Sequence, residues 1–133
     1  MTADHIFVYG TLKPGQRNHH IATRAGPHTT REATLTGYHL YHLHPENYPC
    51  ITPGPPDATI HGYILTYHDW HAAHPHLDQL EGTHLTPPLY HRQRATATTP
   101  HGPQHVWIYT YAHPHRLTTP TATHLPHGHW PPS

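Results

Sequence analysis

Cysteine occurs once in the 133-residue chain, at Cys50. A single thiol excludes an internal disulfide framework and any zinc site built from several thiolates. Formal charge is almost as scarce. Charged residues make up 11% of the chain, against about a quarter in an ordinary soluble domain. Seven cations, of which Lys13 is the single lysine, balance seven anions to a net charge of +0. With no basic field to steer toward phosphate, neither nucleic acid nor an acidic membrane surface is an expected partner. No apolar run approaches the ~18 residues needed to span a bilayer. Asp4 and His5 precede the first short apolar patch, which does not read as a secretory signal. A soluble, cytoplasmic protein is the expectation.

Histidine fills the gap left by charge: the chain has 21, together with 17 prolines. Close sets such as His39, His42 and His44, or His71, His74 and His76, can share a divalent ion. Adventitious metal uptake by surface histidines is therefore expected. A built site needs more, and no H-E-x-x-H occurs, while carboxylates are too few to orient many rings. Histidines in solvated positions usually held by Lys, Glu or Asp are the plainer reading, and no cofactor is expected.

Residues 5–9 (HIFVY) form a continuous apolar strand that ends at Gly10, as suits a strand covered on both faces. A loop of turn formers follows, then a short helical turn over 19–24. Residues 33–43 read as one strand bent at Gly37. Further strands are expected at 48–52, 59–67, 89–98 and 105–111. Trp70, Ala73, Leu77 and Leu80 fall on one face of a 3.6-residue period, predicting a helix over 69–80. Pro75 interrupts that pattern at a cost of about 3 kcal/mol, so two short helical pieces are expected. The reading is an α+β domain over residues 1–112: a small mixed β-barrel of five to six strands with one or two flanking short helices. Residues 113–133 hold five prolines, five histidines and three large apolar residues, and read as a loosely ordered tail.

Two places carry chemistry. Tyr9, Gly10, Thr11 and Leu12 sit where a buried strand becomes a loop. Glycine there serves either a plain turn or a nest of free N–H groups that binds an anion. The spacing from Gly10 to Gly15 matches a P-loop, but Gln16 and Arg17 stand where Lys and Ser or Thr are required, which excludes nucleotide binding. Glu81 ends the helix at the negative pole of its dipole, which raises a carboxyl pKa. It is either a solvated helix-end residue or an acid/base group tuned toward neutrality. Cys50 reads as a small buried residue rather than a nucleophile.

The run Phe7-Val8-Tyr9-Gly10-Thr11-Leu12-Lys13-Pro14-Gly15, with Asn18, and the later Leu77-Asp78-Gln79-Leu80-Glu81-Gly82 resemble the gamma-glutamylcyclotransferase-like superfamily. The similarity extends through Gly37-Tyr38, Tyr48-Pro49, Gly62-Tyr63, Tyr90 with Arg92, and Val106-Trp107-Ile108-Tyr109, over residues 5–112, and is greatest to the branch with gamma-glutamylamine cyclotransferases. The resemblance implies a small mixed barrel and a metal-independent, 5-oxoproline-forming enzyme acting on a small gamma-glutamyl substrate. It implies Glu81 as acid/base and a cradle of main-chain N–H groups at Tyr9, Gly10, Thr11 and Leu12. Tyr90 is added as a substrate-binding wall. The alternative is a non-catalytic, His-rich metal- or ligand-binding protein on the same scaffold.

Overall fold

The computed structural model describes residues 2–131. Five strands close into a barrel: β1 (Asp4–Val8), β2 (His28–Thr36), β5 (Thr59–Tyr67), β6 (Tyr90–Thr99) and β7 (Gly102–Tyr111), in the spatial order β1-β5-β2-β6-β7. Neighbours are antiparallel except β1 and β7, whose parallel pairing at Ile6 and Trp107 closes the ring. A second, three-stranded antiparallel sheet holds β3 (Tyr38–Leu43) between β4 (Tyr48–Pro53) and β8 (Ala122–His124). Helices α1 (His19–Arg24) and α2 (Trp70–Leu80) flank the barrel. Among the described residues, no helix is long and apolar enough to cross a membrane.

Alternation along β1 explains why that strand is apolar throughout. Phe7 and Tyr9 join the cluster inside the barrel with Leu35, Ile60, Ile64, Val106 and Ile108. Ile6 and Val8 face the outer cluster, where Ala22, Ala73, Leu77 and Tyr109 pack. Both faces are covered, and the strand's C-terminal end is thereby fixed between two cores.

Three features differ from the pattern read in the sequence. The strand expected over 33–43 is two strands in two sheets. Gly37, at φ 87, takes a left-handed turn there, so the chain leaves the barrel and starts the second sheet. Helix α2 runs unbroken through Pro75. Pro75 and His71, whose carbonyl loses its partner, are both exposed, so water can satisfy that carbonyl. Burial of Trp70, Ala73 and Leu77 on the opposite face holds the helix together, and the Asp69 carboxylate caps it through the Ala72 N–H at 3.3 Å.

The third difference concerns the segment expected to be loose. Over 113–131 it packs on the domain, through a 3₁₀ turn (Pro114–Thr118) and then β8, which pairs with β3. The Leu125 N–H donates to Leu40 and the His61 N–H to Gly128, each at 2.8 Å. Trp130 is 3% exposed in the barrel cluster, and its indole N–H donates to His42 at 3.0 Å. The Lys13 ammonium donates to the Trp130 carbonyl. Backbone pairing and one well-placed aromatic offset the ordering entropy that so few apolar residues would not.

Candidate active site

A cavity of about 90 Å³ opens at the C-terminal end of β1, under the end of α2. It is lined by Tyr9, Gly10, Thr11, Leu12, Glu81 and Tyr90, so every expected site residue faces one space. The packing above explains this convergence. Strand β1 delivers the loop, the buried face of α2 fixes its last turn, and β6 begins at Tyr90.

The loop is set by a close approach. A Cβ at Gly10 would lie 2.2 Å from the Pro49 Cγ of β4, so no larger residue fits there. Pro49 is itself tied down, because the Tyr90 hydroxyl donates to its carbonyl at 2.6 Å. Carbonyls of the loop are occupied: Lys13 N–H donates to Gly10, Asn18 N–H to Thr11, and His19 Nδ1 contacts the Leu12 oxygen at 2.9 Å. The N–H groups of Gly10, Thr11 and Leu12 donate to no acceptor among the described residues. A row of unspent donors beside a cavity suits a carboxylate or an oxyanion.

Glu81 is the residue after α2, and its N–H continues the helix by donating to Leu77 at 3.0 Å. Its side chain is half-buried, with no hydrogen-bond donor to its carboxylate among the described residues. Burial, and then repulsion by Asp78, pushes the Glu81 carboxyl up to about 7. Gly82 follows at φ 69, turning the chain away so that the carboxylate stays at the cavity wall.

Asp78 holds that corner in place. Its Oδ1 accepts from Arg92 Nε at 2.9 Å and from the Tyr109 hydroxyl at 2.7 Å, and its Oδ2 lies 2.9 Å from His74 Nδ1. The Arg92 guanidinium also stacks over Trp107 at 4.3 Å. Tyr109 accepts the Tyr9 hydroxyl on its carbonyl at 2.7 Å, linking β7 to the end of β1. Burial raises the hydroxyl pKa of Tyr9, Tyr90 and Tyr109 alike, so they stand as neutral donors and walls. Buried Cys50 is raised to about 12, far from a thiolate nucleophile.

A model of the family described as gamma-glutamyl cyclotransferase, AIG2-like, matches residues 6–132. The chain belongs to the AIG2-like gamma-glutamyl cyclotransferase family. The crystal structure of an AIG2-like protein from Mus musculus is similar at 26% identity and a TM-score of 0.74, covering 100% of this chain and 98% of that one. YkqA from Bacillus subtilis matches at 24% identity and a TM-score of 0.67, over 97% of this chain. The chain spans 40% of YkqA's length, and that likeness concerns the fold alone. An uncharacterized protein from Pyrococcus horikoshii, PH0828, shares the fold at 19% identity and a TM-score of 0.65, over 96% of this chain and 89% of its own. No curated protein matches the chain.

Within the family architecture, several residues at the cavity were not assigned to the site from sequence, although Asn18, Tyr48 and Asp78 stand within the motifs that carry the resemblance. Arg17, Asn18, Tyr48 and Leu89 join the rim, and Asp78 anchors the corner from behind. Arg17 stands in the same loop as Gly10, the one signal that could have pointed to it. Among the described residues, no three His, Cys, Asp or Glu side chains converge on a point that could hold a metal ion. His61 and His129 stack at 4.1 Å and His39 contacts His124 at 3.2 Å, but both sets end at two rings. The histidine-rich alternative has no built site among the described residues.

Proposed function

We propose that this chain is a gamma-glutamyl cyclotransferase: it closes an L-gamma-glutamyl amide on itself, releasing 5-oxoproline and a free amine. The observation that carries the reading is a half-buried carboxylate, Glu81, raised to about 7 across a cavity from unspent N–H donors. Family membership supports it.

In the proposed reaction the substrate's α-amine attacks its own side-chain amide carbon, which forms the lactam C–N bond and breaks the bond to the leaving nitrogen. Tethering already supplies proximity, so the protein needs to orient, remove a proton and stabilise an oxyanion. The amine enters as an inert ammonium. Glu81, as carboxylate, takes a proton from it and returns it to the departing nitrogen. Two of the three ammonium protons end on the released ammonium, and no water is consumed. N–H groups at Gly10, Thr11 and Leu12 bind the α-carboxylate or the developing oxyanion, and Tyr9 and Tyr90 wall the site. This reaction needs no metal ion or cofactor. The cytoplasm is the setting that goes with this reading.

The test is 5-oxoproline release from a panel of gamma-glutamyl amines and amino acids, with and without EDTA. Chelator-insensitive turnover that Glu81→Gln abolishes is expected. Near-wild-type turnover by a folded Gln variant refutes the role of Glu81.

A further inference from the structure

The cavity mouth holds a charge that the cyclisation does not use. Of the residues lining the cavity, Glu81 is the one anion and Arg17 the one cation. Arg17 is exposed, whereas Thr11, Leu12, Pro49 and Tyr90 below it are buried. Its guanidinium is anchored on main chain: Nη1 donates to the Asn47 carbonyl at 2.5 Å and Nη2 to the Glu46 carbonyl at 3.4 Å. Those acceptors come from the turn between β3 and β4, where Asn47 takes a φ of 63. They position the group without neutralising it.

The Glu46 carboxylate, in the same turn, is otherwise engaged. Glu46 directs both oxygens to Arg116, which holds its pKa down at about 2. Arg17 makes no ion pair among the described residues, and its remaining N–H donors find no protein acceptor there. The rim therefore presents a fixed, uncompensated positive charge with a free donor edge. Such a fork suits a carboxylate and repels an ammonium.

Resting on the cyclotransferase reading above, the orientation of the substrate follows from charge. Its α-ammonium belongs at Glu81 and its α-carboxylate at the buried N–H row, which leaves the far side of the amide directed to the mouth. We infer that Arg17 recognises a carboxylate carried by the leaving amine, so that the substrates are gamma-glutamyl α-amino acids or short peptides rather than gamma-glutamyl polyamines. Arg17 is a specificity residue here and takes no part in bond making.

Three ligands that share the glutamyl head test this: gamma-glutamyl-alanine, gamma-glutamyl-alaninamide and a mono-gamma-glutamyl diamine. The wild-type protein is expected to prefer the carboxylate ligand over the amide by about three- to tenfold in kcat/KM, carried by KM, as fits one exposed charge-assisted contact. The diamine conjugate is expected to be poorest. In Arg17→Gln the preference collapses to about one, and in Arg17→Glu it inverts toward the diamine. A wild type without preference overturns the inference. So does an equal loss on all three ligands in a folded Arg17→Gln variant, which would put Arg17 on the shared head. Calorimetric binding of the same ligands separates the two claims. If no ligand yields 5-oxoproline, the cyclotransferase reading fails. A carboxylate preference in binding that Arg17→Gln erases would still support the role of Arg17, and equal binding would overturn it.

Discussion

Replacing Glu81 by Gln is expected to destroy activity and to stabilise the fold, in a pH-dependent way. A carboxyl with an ordinary pKa of 4.5 in the unfolded chain and about 7 in the native protein makes the native state hold a proton that the unfolded state has lost. Between those values stability falls as pH rises, since the native state binds more protons. Each tenfold is worth about 1.4 kcal/mol, so the full displacement corresponds to ~3 kcal/mol above pH 7 and to nothing below pH 4.5. Gln removes the ionisation and with it the penalty. The variant is expected to equal the wild type near pH 4.5 and to exceed it near pH 8, where the melting midpoint rises by roughly 5–10 °C. The measurement is a set of denaturant or thermal melts of both proteins across that range. The difference between the two proteins is the quantity to read, because histidines slope the other way. Burial lowers the pKa of His5, His42, His124 and His129, so both curves lose stability as pH falls below about 6.5, and subtraction cancels this. A pH-independent difference, or a variant less stable at pH 8, would refute the placement of a raised carboxyl at Glu81.

Asp78→Asn removes the charge that helps to raise Glu81 and weakens the acceptor of Arg92 and Tyr109. The ascending limb of the kcat/KM profile is expected to move to lower pH, and denaturant melts to show a loss of about 1–3 kcal/mol. Gly10→Ala forces a methyl group into Pro49, whose carbonyl Tyr90 holds, so stability is expected to fall by about 1–3 kcal/mol with activity lost beyond proportion. Chemical unfolding and the 5-oxoproline assay read both effects. Trp130→Ala is expected to cost roughly 3–5 kcal/mol in the same melts, since it empties a site in the barrel cluster. A loosely attached segment would register no change.

The parts of this protein that were legible in its sequence are those governed by local pattern. Strand β5 and helix α1 end where alternation and turn residues say they should, and the amphipathic face of α2 ends at Leu80, just before Glu81 and Gly82. A turn at Gly10 was visible because a buried strand stops there, whereas the reading of Tyr9 to Leu12 as a cradle came with the resemblance to the family. Long-range pairing was not visible. Nothing local distinguishes a bend at Gly37 from a change of sheet. Pro75 is a helix breaker by propensity, yet it sits where solvent can satisfy the freed carbonyl. Composition argued against order over residues 113–133, but over the described part, 113–131, edge pairing with β3 and a single indole supply it. Arg17 joins the rim only because a turn thirty residues away lends it two carbonyls.

The contact between Lys13 and the Trp130 carbonyl joins the cradle loop to the far end of the described chain. Lys13 also donates its own N–H to Gly10, so loosening the terminal segment slackens the loop proposed to receive the ligand. Filling the cavity and peeling that segment away thus become competing events. A ligand held only by the taut loop suppresses peeling by mass action, by about 2.7 kcal/mol at a hundredfold excess over Kd. Proteolysis that needs the peeled form slows in the same proportion. On the proposed cyclotransferase reading, substrate supply thereby acts on how long each folded copy survives, as well as on how fast it turns over.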